Sequence, residues 1–275
     1  MIRVGESELS ITFNGATADL TQPELIAWVN QCATAVARYF GRFPVSRARL
    51  DIAVREGRRG VPGGRTWAER GVHTRIVIGQ HTDVGDLRND WVLTHEFAHY
   101  GFPNMPDRHH WIEEGLATYV EPIARVAVGT QDAPTAWFEM LRDMPQGQPK
   151  SGDEGLDNTH TWGRTYWGGA MFCLVADVTI RKNTHNQKGL RDALRGIVAQ
   201  GGNIEVQWPI ERALEAGDKA VGGNSLMSLY AQMGGKPVPV DLPALWKELG
   251  VARQGDTAVF DDQAPLAAIR KAILS

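Results

Sequence analysis

The first part of the chain, up to about residue 85, shows two patterns of apolar and polar positions. Residues 8–13 alternate between the two kinds of side chain, which predicts a β-strand, and residues 49–54 and 74–78 are also strand-like. After Thr21 the apolar residues instead recur at helical spacing, at Leu25, Val29, Cys32, Val36 and Phe40. A threonine followed three residues later by Glu24 is typical of a helix start. We therefore expect a helix that begins just after Thr21 and packs on a small sheet.

From about residue 88 the spacing becomes helical, and no further strand is predicted. The candidate helices cover 89–101, 110–128, 134–143, 165–182, 188–200, 205–216, 223–233, 242–249 and 264–274. Residues 144–161 are rich in Pro, Gly and Asp and are predicted to be irregular. A mixed α/β part over 1–88 followed by a helical part over 89–275 predicts an α+β fold, one catalytic unit with a cleft between the parts.

Composition excludes several classes of protein. The 275 residues carry 29 Lys and Arg against 32 Asp and Glu, a net charge of −3, which argues against a nucleic-acid partner. No apolar run is long enough to span a membrane. The two cysteines, Cys32 and Cys173, lie on apolar stretches and are expected to be buried. The glycine-rich stretch 57–64 matches no phosphate-binding motif and predicts a flexible hairpin.

The candidate chemistry centres on the sequence HEFAH, an HExxH motif. On a helix, His95 and His99 project from one face one turn apart, so that each can give a ring nitrogen to the same Zn²⁺ ion. Glu96 lies beside them and is predicted to take a proton from water at the metal. The alternative is a surface helix that carries two histidines by chance.

A third ligand can come from the next helical pattern, WIEEGLATYVE, which begins at Trp111. Two helices joined by a turn this short pack antiparallel, so an acid early in the second helix can face the histidines. Two histidines and one carboxylate form an open, catalytic type of zinc site with a position left for water. Both Glu113 and Glu114 lie in the required part of the helix.

These two motifs resemble the gluzincin metallopeptidases, in particular the aminopeptidase N and glycyl aminopeptidase families. The resemblance implies a thermolysin-like catalytic fold, one zinc ion per chain and a peptide or protein substrate. It assigns the third ligand to Glu114, next to Gly115, and leaves Glu113 as its solvent-side neighbour. The linker between the motifs is a few residues shorter than in aminopeptidase N, which indicates a distant branch.

A second match lies in the segment GRTYWGGA. The resemblance implies that Tyr166 donates a hydrogen bond to the oxyanion of the reaction, although the family's lysine is replaced by Gly168. As an alternative, the tyrosine is an aromatic core residue. The family's GxMEN motif corresponds to residues 63–67, which contain no acid to hold a free amino terminus. Strand 74–78 is expected to be the edge that pairs with an extended peptide.

The sequence thus predicts a zinc metallopeptidase, aminopeptidase-like but without the glutamate of GxMEN. A zinc hydrolase of a non-peptide substrate and an inactive peptide-binding module are the alternatives. His109 and His110 are expected to be exposed or to cap a helix in the turn between the two helices, rather than to be ligands. His160 is expected to line the cleft or make a structural hydrogen bond. No signal peptide is evident; the family resemblance favours an extracytoplasmic location, with the cytoplasm as the alternative.

Overall fold

The computed structural model describes all residues from 1 to 275. Its strands are β1 (Ile2–Val4), β2 (Ser7–Gly15), β3 (Arg47–Arg55), β4 (Gly63–Trp67), β5 (His73–Gly79), β6 (Val251–Gln254) and β7 (Thr257–Phe260). Its helices are α1 (Gln22–Phe40), α2 (Val84–Asn89), α3 (Val92–Ala98), α4 (His110–Val128), α5 (Ala133–Asp143), α6 (Gly169–Asn183), α7 (Leu190–Ala199), α8 (Ile210–Val221), α9 (Ser225–Met233), α10 (Leu242–Leu249) and α11 (Ala267–Ile273). The architecture is mixed α/β, with one five-stranded sheet and many helices.

The five-stranded sheet has the order β1-β2-β3-β5-β4. The three central strands, β2, β3 and β5, run parallel, and both outer strands are antiparallel to their neighbours. The expectation that 74–78 forms the free edge is wrong, because β4 pairs with β5 on that side. The outer edge is β4 itself, whose first two residues, Gly63 and Gly64, belong to the stretch expected to be a flexible hairpin.

Helix α1 begins where the sequence predicts. The Thr21 hydroxyl accepts a hydrogen bond from the Glu24 backbone N–H, and the Glu24 carboxylate accepts one from the Thr21 backbone N–H. This reciprocal capping satisfies two backbone donors at the helix start. The apolar face of α1, including Val29 and Val36, is buried. It packs against α3 and α4, which carry the predicted site.

A single hydrophobic core of 70 residues extends from Leu9 in β2 to Ile273 in α11. Both cysteines are buried in this core, as expected. No helix has the length and apolar character needed to cross a membrane. Contrary to the expectation of helices alone after residue 88, β6 and β7 form an antiparallel hairpin near the chain's end.

Helices α4 and α6 approach each other at two glycines. A Cβ atom on Gly115 would lie 2.2 Å from the Cα atom of Gly169. A Cβ atom on Gly169 would lie 2.1 Å from the backbone oxygen of Trp111. Only glycine permits backbone contact this close. The contact joins the part of α4 that carries Glu114 to the segment that carries Tyr166.

Candidate metal centre

The HExxH motif lies on the short helix α3, which continues as a 3₁₀ turn over His99–Gly101. The helix begins at Val92, three residues later than predicted, and Asp90 precedes its first turn. The Asp90 carboxylate accepts hydrogen bonds from the backbone N–H groups of Val92 at 2.9 Å and Leu93 at 3.2 Å. Burial raises the pKa of Asp90 to about 6. These two hydrogen bonds satisfy backbone donors in the first turn of the helix that carries the histidines.

The three predicted ligands lie together. One oxygen of Glu114, Oε2, is 3.1 Å from the Nε2 atom of His95 and 3.7 Å from the Nε2 atom of His99. One potential ligand atom from each residue lies within 4.8 Å of the other two. Burial lowers the pKa of His99, which favours the neutral ring that binds metals.

The second oxygen of Glu114 faces His110. The Oε1 atom lies 3.3 Å from His110 Nε2, while His110 Nδ1 lies 3.3 Å from Glu113 Oε2. Glu113 also accepts a hydrogen bond from the Met105 backbone N–H at 3.1 Å. Burial acts to raise the pKa of Glu114, but its hydrogen bonds with His110 and His95 hold that pKa well below its usual range. Glu113 is therefore part of a chain of contacts that leads to Glu114, and not merely its solvent-side neighbour.

Glu96 lies under the edge strand β4. Its side chain is 8% exposed, and a Cβ atom on Gly64 would lie 2.7 Å from its Cγ atom. The Thr66 hydroxyl donates a hydrogen bond to the Glu96 backbone oxygen at 3.2 Å. Burial raises the pKa of Glu96. Such a shift brings a carboxylate closer to the pKa that suits a general base near neutral pH.

Tyr166 lies in a turn of π-helix, Arg164–Gly168, directly before α6. Its ring is nearly parallel to that of His95, with 6.2 Å between centroids. Burial, together with the nearby Glu114 carboxylate, raises the pKa of Tyr166 to about 12, so its hydroxyl keeps its proton. The tyrosine is half-buried and lines the same cavity as the histidines. It is therefore not a fully buried core residue, which was the alternative prediction.

Two cavities meet at this centre. The site cavity, about 860 Å³, extends from β4 across Glu96 and His99 to Glu113 and residues 204–207. The side cavity, about 570 Å³, extends from α3 along α4 to α5. Three residues line both cavities, namely Trp91, His95 and Tyr166.

Two histidine predictions are wrong. His109 is buried, because its Nδ1 atom hydrogen-bonds to Asp157 at 2.8 Å. Asp157 also accepts hydrogen bonds from the Trp111 indole and the Tyr230 hydroxyl, both at 2.8 Å. His160 is exposed and lines neither cavity. His110 is exposed as expected, but its position against Glu114 was not anticipated.

Sequence reasoning also missed two tryptophans. The sequence motifs assigned no role in the site to Trp91 or Trp162. Their side chains are 51% and 60% exposed, and both line the side cavity. The spacing within the HExxH helix was the only available signal for Trp91, since it precedes His95 by one helical turn.

The fold is similar to that of part of the M1 zinc metallopeptidases of known structure. An aminopeptidase N family protein from Idiomarina loihiensis matches 92% of this chain with a TM-score of 0.61 at 14% identity. An M1 zinc metallopeptidase from Deinococcus radiodurans matches 87% with a TM-score of 0.52 at 14% identity. A variant of the Deinococcus enzyme bound to the substrate Tyr-Ser-Ala matches 86% with a TM-score of 0.53 at 14% identity.

The chain covers 49%, 52% and 51% of these three structures, about half of their length. No protein-family model and no curated protein sequence matches the chain. The structural likeness supports the family resemblance predicted from the two sequence motifs, at the level of the fold.

Proposed function

We propose that the protein is a zinc-dependent metallopeptidase with a gluzincin-type catalytic fold and an active-site cleft between the sheet and the helices. The observation that carries this proposal is the convergence of His95, His99 and Glu114, whose potential ligand atoms lie within 4.8 Å of one another. Glu96 and Tyr166 line the same cavity as these three residues.

The donor set fits zinc. Four tetrahedral ligands at about 2.1 Å from a zinc ion lie about 3.4 Å apart. The distances from Glu114 Oε2 to the nitrogens of His95 and His99, 3.1 and 3.7 Å, bracket that value. Two imidazoles, one carboxylate and no thiolate are typical of catalytic zinc rather than of a closed structural site.

Each residue has a defined part in the proposed reaction. Zinc held by the three ligands would supply Lewis acidity, which polarises the scissile carbonyl and makes water more acidic. Glu96 takes a proton from the attacking water and delivers it to the leaving amine. Tyr166 donates a hydrogen bond from its protonated hydroxyl to the carbonyl oxygen as negative charge develops there.

The edge strand β4 offers a place for an extended substrate. Its outer side has no partner strand, and its residues line the site cavity. A peptide that adds to this edge would be held by backbone hydrogen bonds next to Glu96. Thr66 occupies the position that corresponds to the glutamate of GxMEN, so the strand has no carboxylate to bind a free amino terminus. We therefore expect blocked peptides to be cleaved as well as free ones.

The test combines metal analysis with a peptide library that has free and blocked amino termini. We expect about one zinc ion per chain, loss of zinc in Glu114→Ala, and cleavage that is lost in a zinc-loaded Glu96→Gln variant. Full zinc affinity in Glu114→Ala would reject the ligand assignment. If zinc-loaded protein cleaves no peptide, the proposed peptidase function is wrong. A zinc hydrolase of a non-peptide substrate and an inactive peptide-binding module would then remain as the alternatives.

A further inference from the structure

The side cavity opens directly onto the proposed metal centre. It shares His95, Tyr166 and Trp91 with the site cavity, and lies on the other side of them from the edge strand β4. Its volume of about 570 Å³ falls within the range of small-molecule and side-chain pockets, about 300–1,000 Å³. A substrate held along β4 can therefore extend a side chain into this space.

The charges that line the side cavity do not balance. Its four carboxylates belong to Glu121, Asp132, Glu139 and Asp143, and its two guanidinium groups to Arg125 and Arg142. Both guanidinium groups are already paired. Arg125 donates to Glu121 at 2.9 Å in the buried floor, and Arg142 pairs with Asp143 at the rim.

Two carboxylates, those of Asp132 and Glu139, therefore have no cationic partner. Asp132 accepts a hydrogen bond from the Thr135 backbone N–H, and Glu139 accepts one from the Gln131 side-chain amide at 2.6 Å. That bond fixes the orientation of the amide, and its oxygen is buried without a hydrogen-bond donor. The lining thus carries more carboxylates than guanidinium groups, together with a buried amide oxygen at Gln131 that lacks a donor. The unpaired N–H groups of Arg125 and Trp167 also lie in this lining.

An aromatic row connects the cavity to the metal centre. The ring of Trp162 stacks on Tyr166 at 5.6 Å between centroids, Tyr166 lies 6.2 Å from His95, and Trp91 meets His95 edge-on at 5.6 Å. The two tryptophans are half-exposed or more, which is unusual for such large apolar side chains. Aromatic faces attract cations, and guanidinium groups in particular stack on them.

We propose that the side cavity is a specificity site that binds an arginine or lysine side chain of the substrate. The aliphatic part of that side chain lies along the tryptophans, and its cationic end supplies the charge and the donors that Asp132, Glu139 and Gln131 lack. This proposal rests on the proposed peptidase function, since it places the basic residue beside the bond to be cleaved.

The test uses peptides of one sequence in which a single position near the cleaved bond is Arg, Lys, Gln, Met or Glu. Hydrolysis is measured on zinc-loaded protein, and binding is measured separately by calorimetry on the Glu96→Gln variant. We expect Arg and Lys peptides to exceed the Met peptide by about tenfold in both measurements, and the Glu peptide to be the weakest. The Asp132→Asn and Glu139→Gln variants remove charge without changing shape, and their combination should bring the Arg-to-Met ratio close to one. Asp256→Asn, on an exposed residue that lines neither cavity, is the matched control and should leave the ratio unchanged.

The outcomes separate the two proposals. Hydrolysis without preference for basic residues, or a preference that survives the double substitution, overturns the specificity site alone. Preferential binding of basic peptides without any hydrolysis supports the site and overturns the peptidase. Folded protein that neither binds nor cleaves the peptides overturns both, with folding checked by circular dichroism.

Discussion

Gly64 lies directly over the carboxylate-bearing side chain of Glu96. A Cβ atom at position 64 would lie 2.7 Å from Glu96 Cγ and 2.9 Å from Ile76 Cδ1. No real Cβ atom tolerates either distance, so a side chain at position 64 must push Glu96 aside. The absence of a side chain on the edge strand therefore determines where the proposed general base lies.

The first prediction concerns this contact. Gly64→Ala should displace the Glu96 carboxylate by a few tenths of an ångström or more and lower kcat by about a hundredfold, because proton transfer depends steeply on position. Zinc content should remain about one ion per chain. Gly63→Ala is the control, since a Cβ atom there meets nothing within 4 Å. Equal kcat values for the two variants would show that Glu96 does not depend on this contact.

The second prediction concerns His110, whose Nε2 atom lies 3.3 Å from Glu114 Oε1. Groups that orient a metal ligand are typically worth about 10–100-fold in metal affinity. His110→Ala should weaken zinc binding by that factor, as measured by competition with a chromophoric chelator, and His110→Gln should restore most of it. His160→Ala, on an exposed histidine outside both cavities, serves as the control. Unchanged affinity in His110→Ala would contradict the prediction, and complete loss of zinc would make His110 a ligand instead.

The third prediction concerns the pH dependence of stability at Asp90. Burial raises its pKa from 3.8 to about 6, so the folded protein holds this proton more tightly than the unfolded chain. Stability is therefore greatest at low pH with respect to this group, and declines as pH rises from about 4 to about 6. Asp90→Asn keeps a capping oxygen but cannot ionise. The difference in free energy of unfolding between the Asp90→Asn variant and the wild type should therefore increase in favour of the variant as the pH rises across that interval, by up to roughly 3 kcal/mol.

Urea unfolding at several pH values measures this difference. Two stability curves that stay parallel between pH 4 and pH 7 would show that Asp90 is not the group responsible. The expected sign is opposite to that of an acid paired with a base, because here burial outweighs the backbone hydrogen bonds that favour the charge.

The fourth prediction concerns Asp157, which is buried and accepts hydrogen bonds from His109, Trp111 and Tyr230. Burial acts to raise its pKa, but these hydrogen bonds lower it below 3.8, so its stabilising effect is lost only as the pH falls through the lowered value. Asp157→Ala leaves several buried donors unpaired and should destabilise the fold by roughly 3–5 kcal/mol. Chemical denaturation measures the loss, with Asp256→Asn as the exposed control. A loss below about 1 kcal/mol would contradict this account.

Local sequence determined part of this structure. The bounds predicted for the helix 110–128 match those of α4, because its apolar period is continuous and Gly129 ends it in the left-handed region. The candidate ligand cluster was predicted as well. The HExxH spacing gave His95 and His99, and the family resemblance selected Glu114 over Glu113 in the next helix. These features depend on residues close together in sequence.

The missed features depend on distant residues. Strand β4 has the sequence GGRTW, with no apolar alternation, and is extended because it pairs with β5. His109 is buried by Asp157, which lies 48 residues further along the chain. Trp91 has the periodicity of a core residue, but the side cavity leaves it exposed. A local sequence pattern does not show which distant segment a residue will contact in the fold.

The contact between Gly115 and Gly169 holds Glu114 and Tyr166 at a separation that substitutions elsewhere in the site need not alter. Because backbone touches backbone there, the separation between the segments that carry Glu114 and Tyr166 does not depend on the size of any side chain. Substitutions in the side cavity can therefore alter which substrate residue is accepted without moving the proposed catalytic groups apart. Residues of α5 are therefore the positions at which the proposed specificity can be redesigned, and the two glycines must be kept.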